Sequence, residues 1–410
     1  MSDLALRGVS ALGLLAMIAI AFAVSEDRRR VPWRTVAFGV GLQLALALVL
    51  LETAAGRLFF AAVAVGVGKL LAWTEAGSRF LFGPLLDRGD SFALGVLPVI
   101  VFMGSAFAVL YHLGLVQLVV RALASLLSRA MRLSGAESLA AVANIFVGMV
   151  EAMLVVRPYV ARMTHSELFS TMTVGMATVA GSVLVAYVHM LGGGDYAGHL
   201  VTASLLSAPA GLLLAKVMVP ETGVPETRPG ADAAAPRETV NVIDAAAEGA
   251  IGGLKLAAYV GATLVAFVAL IAALNDALGA LGGVFGWPGL SLELALGTLL
   301  APLAFLMGIP WADAVEVGAL IGVKTVLNEF VAYQQLGAAI ESGALAERSR
   351  IIASYALCGF ANFGSLAILL GGIGGIAPER RHEVARLGLR SILSGSLASF
   401  MTACVVGMLL

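Results

Sequence analysis

The chain is a succession of apolar runs of about 20 residues, each the length a helix needs to cross the hydrocarbon core of a bilayer, parted by short charged or glycine-rich breaks. The full-length runs are residues 4–24, 34–53, 92–116, 166–191, 198–219, 255–275, 351–373 and 388–410. Inside hydrocarbon every backbone N–H and C=O must find a partner within its own segment, so such runs fold as helices. The pattern predicts an all-α polytopic membrane protein with about eight transmembrane helices. Hydrophobic residues make up 60% of the 410 positions and Asp, Glu, Lys and Arg only 12%, which excludes an ordinary soluble domain. A net charge of −1 and the lack of a basic stripe argue against nucleic acid as a partner. The first run is too long for the apolar core of a signal peptide and is followed by SEDRRR, so it reads as a retained helix.

Residues 57–82 and 115–132 are of another kind. They carry their few charges at helical spacing among Leu, Val and Ala, which suits long helices lying along the interface or bracing the bundle, with a tilted span as the alternative. Arg28, Arg29, Arg30 and Arg34 place the loop after the first run in the cytoplasm and the N-terminus outside. Arg380, Arg381, Arg386 and Arg390 mark a second basic boundary. Residues 220–240 are rich in Pro, Gly, Ala and charge without periodicity and read as a linker. The expected organisation is a scaffold at 1–90, a first repeat at 91–219, a linker and interfacial segment at 220–254, and a second repeat at 255–410. Each repeat runs in one order: a span, a second apolar helix, an interrupted segment holding Asn and Glu, a helix crowded with Gly and Ser or Thr, and a closing span. Inverted internal repeats are a device of secondary transporters, which place substrate near the membrane midplane where broken helices meet.

Two acids lie deep in apolar sequence, Glu151 in NIFVGMVEAMLVV and Glu329 in VKTVLNEFVAY. A charge at membrane depth costs about 2.5 to 3.5 kcal/mol on insertion scales, so it persists facing a bundle interior or a wet cavity. Both fall in the interrupted segments, 136–163 and 312–340. With Asn144, Gly148 and Glu151 near its middle and Arg157-Pro158 beyond, the first is a poor lipid-facing helix and suits a re-entrant hairpin. Free carbonyls at such a tip, with the Asn144 side-chain oxygen, suit a small hard cation such as sodium; a role for each Asn as interhelical glue is the alternative.

The ordered blocks NIFVG(x)(x)EA, ATVAGSV, APLAFLMG, KT(x)(x)NEFVAY and ALCGFANF resemble the concentrative nucleoside transporters, and the resemblance runs nearly end to end. It implies a homotrimer in the inner membrane, eight spans per protomer, two re-entrant hairpins, two unwound helices, and nucleoside uptake driven by sodium, or by protons in some bacterial members. Carried over by residue, it puts the nucleobase readers on Met149, Val150 and Glu151, with Val183 and Phe360 lining the pocket. Ribose contacts fall on Glu329, Asn362 and Ser365, and sodium ligands on Asn144, Val147, Thr178 and Val179, the last three partly or wholly through carbonyls. No other cofactor is implied.

The base site departs from the family. Where relatives carry Gly-Gln-Thr-Glu-Ala-Pro, this chain has Gly148-Met149-Val150-Glu151-Ala152-Met153, losing two polar readers and a proline. An unpaired base edge costs about 1 to 3 kcal/mol per desolvated group, so uridine recognition is expected to weaken and selectivity to shift to purine or modified nucleosides, or to reading by shape. An enzyme lacks support, since no nucleophile motif, HExxH or phosphate loop is present. A nucleoside-sensing receptor without transport is the distant alternative.

Overall fold

The computed structural model describes residues 2–88, 91–227, 239–287 and 289–410; residues 228–238 of the expected linker lie outside them. Nineteen α-helices and two short 3-10 turns make up the described residues, with no strand among them. The N-terminal set is α1 (Asp3–Ala23), α2 (Trp33–Glu52) and α3 (Ala54–Phe82). The first half continues with α4 (Phe92–Gly95), α5 (Leu97–His112), α6 (Leu115–Met131), α7 (Gly135–Val147), α8 (Met149–Val155), α9 (Arg157–Val160), α10 (His165–Ala177), α11 (Gly181–Met190) and α12 (Asp195–Met218). The second holds α13 (Val242–Val284), α14 (Leu292–Leu306), α15 (Trp311–Val326), α16 (Glu329–Glu341), α17 (Glu347–Leu357), α18 (Phe363–Ile376) and α19 (Arg381–Leu409).

Eight spans by length and apolarity agree with the expected number, but their identity differs in two places. Residues 351–373 are not one helix. The chain breaks over Cys358 to Asn362, where Gly359 takes φ +156° and Asn362 turns its side chain back to cap α18, so two shorter helices replace the expected span. In its stead α3, within the segment assigned to the interface or a tilted span, is long and apolar enough to cross. Nor is the helix expected at 255–275 confined to it: α13 is 43 residues long and starts just past the linker residues 220–240, inside the linker and interfacial segment expected at 220–254, capped by Asn241, whose Oδ1 accepts from the Asp244 amide at 2.9 Å. It lies along α5 with glycines at the crossing, where a Cβ added to Gly104 would fall 2.6 Å from the Gly249 carbonyl oxygen.

The two halves repeat in order and in pairing. In each, the second apolar helix packs on the first hairpin arm (α6 on α7, α14 on α15), and the two arms pack on each other (α7 with α8, α15 with α16). Each broken helix packs on its own closing helix and on the other half's (α10 on α12 and α19, α17 on α19 and α12). The second arms exchange, α8 lying against α18 and α16 against α11. The halves are therefore intertwined, and their breaks meet: a Cβ on Gly359 would come within 2.9 Å of the Met176 carbonyl oxygen at the end of α10. The chain also reverses by 116° between α14 and α15, the geometry of a broken span or re-entrant loop.

Polar clusters fix the hairpin bases. Capping boxes at Ser134/Glu137 and Thr164/Glu167 start α7 and α10, and buried Lys216 of α12 reaches buried Glu137 at 2.8 Å and the buried Ser166 hydroxyl at 3.0 Å. In the second half Asp313 accepts from the Ala346 amide at 3.1 Å and from the Ser349 hydroxyl at 2.5 Å. The two basic boundaries meet at one end of the bundle, where Arg390 pairs with Glu26 and donates to the Val24 carbonyl at 2.6 Å.

Candidate functional site

Both hairpin tips open on one cavity of about 170 Å³ between the halves. All eight residues assigned to the substrate line it: Met149, Val150, Glu151, Val183, Glu329, Phe360, Asn362 and Ser365. They come from α8, α11, α16, α18 and the break before α18, segments spread over more than 200 residues and joined only by the exchange of second arms.

The second tip is polar and held. Asn328 caps α16 by accepting from the Val331 amide at 3.1 Å, which places Glu329 as the first residue of that helix, at its positive end. Glu329 is 3% exposed; one carboxylate oxygen accepts from the Tyr187 hydroxyl at 2.9 Å and the other from the Asn362 amide at 2.6 Å. Asn362 keeps its own oxygen for the Ser365 amide at 2.8 Å, so one side chain both caps α18 and orients the acid. Tyr187 is fixed in turn by stacking on Tyr333 with centroids 4.4 Å apart. The result is a carboxylate with set geometry and spare lone pairs facing the cavity, suited to accept from neighbouring hydroxyls.

The first tip is apolar except for its acid. Gly148 parts α7 from α8 with φ +106° and ψ 171°, a conformation that only glycine adopts without strain. Met149 is buried with its Cβ 3.3 Å from where a Cβ on Gly175 would lie, and Val150 packs on Gly372 of α18. Val183 adds a third apolar wall. Glu151 is exposed to the cavity, and it also borders a second cavity of about 470 Å³ running along α13, lined by His112, Arg157 and Glu248 among others.

Behind the first tip Asn144 and Thr178 are buried side by side, the Asn144 amide donating to the Thr178 hydroxyl and, at 3.0 Å, to the Val174 carbonyl. Asn144 Oδ1 is buried without a hydrogen-bond partner among the described residues. Val147 ends α7, and Thr178 and Val179 lie in the break between α10 and α11, where carbonyls have no successor turn to accept from. An orphaned acceptor beside two helix C-termini fits a small cation with oxygen ligands. All four residues assigned to sodium lie at this junction.

Several residues of the site were missed by sequence reasoning. Tyr187, the partner of Glu329, closes an apolar stretch in which nothing in the sequence sets it apart from a packing residue. Leu256, Tyr259, Thr263 and Phe267 close the cavity from α13 at a three-to-four residue spacing that reads as any membrane helix.

Three family profiles match in succession: "Na+ dependent nucleoside transporter N-terminus" over residues 12–85, "Nucleoside recognition" over 93–194, and "Na+ dependent nucleoside transporter C-terminus" over 199–407. The uncharacterized transporter YutK of Bacillus subtilis is 48% identical over 400 residues, covering 97% of this chain and 98% of that protein. Solute carrier family 28 member 3 of Homo sapiens is 41% identical over 415 residues, 98% of this chain but 60% of the human protein. The solved structure of CNTnw in an inward-facing substrate-bound state is 44% identical, with a TM-score of 0.93 over 98% of this chain and 97% of that one.

Proposed function

This multi-pass membrane protein belongs to the concentrative nucleoside transporter family, and on that premise we propose that it is a symporter drawing nucleosides across the inner membrane on a sodium gradient, with altered base selectivity. The observation that carries the reading is the Glu329 carboxylate, fixed by Tyr187 and Asn362 inside a cavity that both halves line. Glu329 accepts from a ribose hydroxyl, and Asn362 and Ser365 stand next to it to donate or accept. The base lies toward Met149, Val150 and Val183, whose side chains offer surface and no hydrogen bonds, with Glu151 beside them. Methionine is polarizable and adaptable, so that wall suits a larger or differently decorated ring and reads it by shape.

Sodium at Asn144 Oδ1 and the carbonyls of Val147, Thr178 and Val179 would supply positive charge where two helix C-termini meet. Asn144 and Thr178 thereby hold α7 against α10 and set the tip that carries Met149 to Glu151. A proton-coupled reading draws on one observation, that Glu151 borders both cavities. A homotrimer is part of the proposal through family resemblance.

The test is uptake into proteoliposomes with sodium replaced by choline at two pH values, using labelled uridine and purine nucleosides. Sodium-dependent uptake with purines ahead of uridine is expected. Uptake indifferent to sodium but steep in pH selects the proton, and uridine carried as avidly as by relatives with the Gln-Thr pair sinks the altered selectivity. Ligand binding without counterflow would mark a receptor.

A further inference from the structure

Lys324 is a fully buried ammonium, 1% exposed, in the membrane-embedded core. Among the described residues its Nζ makes one hydrogen bond, to the Ala356 carbonyl at 3.0 Å, and lies 5.8 Å from the centroid of the Phe400 ring. It forms no ion pair with any described residue. Its charge acts on the buried Glu329 carboxylate and on Cys358 without an ion pair to either, so the ammonium is still a costly group held by one carbonyl, and core packing alone does not account for it.

Its place in the repeat does. Asn144 stands four residues before Gly148, the cap of the second arm in the first hairpin, and Lys324 stands four residues before Asn328, the cap of the second arm in the second. Asn144 reaches a carbonyl near the end of α10, and Lys324 reaches one near the end of α17, the corresponding helix of the other half. The two positions are mates under exchange of the halves, yet opposite in what they offer. At the first, Asn144 Oδ1 is a buried acceptor without a donor among the described residues. At the second, the carbonyls around the end of α17 are met by donors: Ser354 by the Tyr333 hydroxyl at 2.8 Å, Ala356 by Lys324, and Cys358 by the Ser399 hydroxyl at 3.0 Å.

We propose that Lys324 is a tethered cation filling the second half's counterpart of the sodium site, so that only the first half's site is left for an exchangeable ion. The inference rests on reading Asn144 as a sodium ligand. It makes Lys324 a residue that sets coupling stoichiometry, acting without touching the substrate.

Lys324→Asn removes the ammonium and leaves an amide oxygen facing the space it filled, as Asn144 does in the first half, and should open a second sodium site. In proteoliposomes with sodium exchanged for choline, the sodium Hill coefficient for the best-carried nucleoside should rise from about one to nearly two, and the charge moved per nucleoside should about double. A transporting variant that keeps the wild-type coefficient and charge ratio overturns the proposal. If the variant folds but does not transport, sodium-dependent thermal stabilisation of the purified protein decides: a steeper dependence on sodium than wild type supports the proposal, and an equal or shallower one overturns it. Recovery of Lys324→Asn or Lys324→Gln only at high sodium supports it, whereas failure to recover either at any sodium concentration makes Lys324 a structural ion and overturns the coupling role. Wild type and Asn144→Leu run in parallel separate the two claims. A wild type indifferent to sodium sinks the Asn144 reading, while a sodium-driven wild type with an unchanged Lys324→Asn sinks this inference alone.

Discussion

The two hairpin tips begin from the same design, a helix break with an acid soon after it, and they part in how the acid is held. At the second tip Asn328 caps the new helix, and Glu329 accepts two hydrogen bonds from Tyr187 and Asn362, so its position is decided before any ligand arrives. At the first tip Gly148 makes the turn with a backbone that only glycine tolerates, the neighbours are Met149 and Val150, and Glu151 stays open to two cavities. Buried carboxylates keep a fixed geometry when donors surround them, and no described side chain is seen to donate to Glu151 as Tyr187 and Asn362 do to Glu329. In the function proposed above, the sugar, which varies little among nucleosides, meets the rigid polar tip, and the base, which varies most, meets the apolar adaptable one.

The largest effect should come from breaking the polar tip. Glu329→Ala strands the Tyr187 hydroxyl and the Asn362 amide, and with hydrogen bonds to a charged group worth about 1.5 to 3 kcal/mol each, nucleoside uptake efficiency should fall at least about 100-fold in proteoliposomes. Uptake within a few-fold of wild type would remove the ribose role from this residue. Next in size is Asn144→Leu, which takes the orphaned acceptor from behind the first tip; the sodium concentration for half-maximal uptake should rise by at least about tenfold, read from a sodium titration at fixed nucleoside. A smaller effect sharpens the comparison by making the tips alike. Met149→Gln combined with Val150→Thr restores hydrogen-bonding groups to the base wall and should tighten competition by uridine by about tenfold, since net hydrogen bonds contribute about 0.5 to 1.5 kcal/mol each. No gain would mean that the apolar pair does not set selectivity. The smallest is Tyr187→Phe, which keeps the stack on Tyr333 and removes one donor from Glu329; a rise in the nucleoside KM of about 3- to 10-fold is expected from uptake kinetics.

Apolar run lengths were enough to read the number of membrane helices and to place seven of the eight, because backbone satisfaction in hydrocarbon leaves the chain no other local solution. The order of parts in each half and the two acids at the interrupted segments were equally legible, since a charge or a break in apolar sequence stands out against its neighbours. Other boundaries were not. Residues 351–373 are apolar enough throughout to pass for one helix, and the break at Cys358 to Asn362 exists because Asn362 and Gly359 answer to Glu329 and to the end of α10. The reach of α13 to 43 residues depends on α5 lying against it with matched glycines.

By itself, then, the sequence determined the medium, the helices and which side chains would be costly enough to need a reason. Only the tertiary structure decided what those side chains meet: that Glu329 faces Tyr187 from the other half, that Asn144 is left with an unpaired oxygen, and that Lys324 stands at the matching place in the second repeat. Helix formation is settled by residues three and four apart, whereas these encounters join positions as much as 142 residues apart through the exchange of arms between halves, which no local pattern encodes.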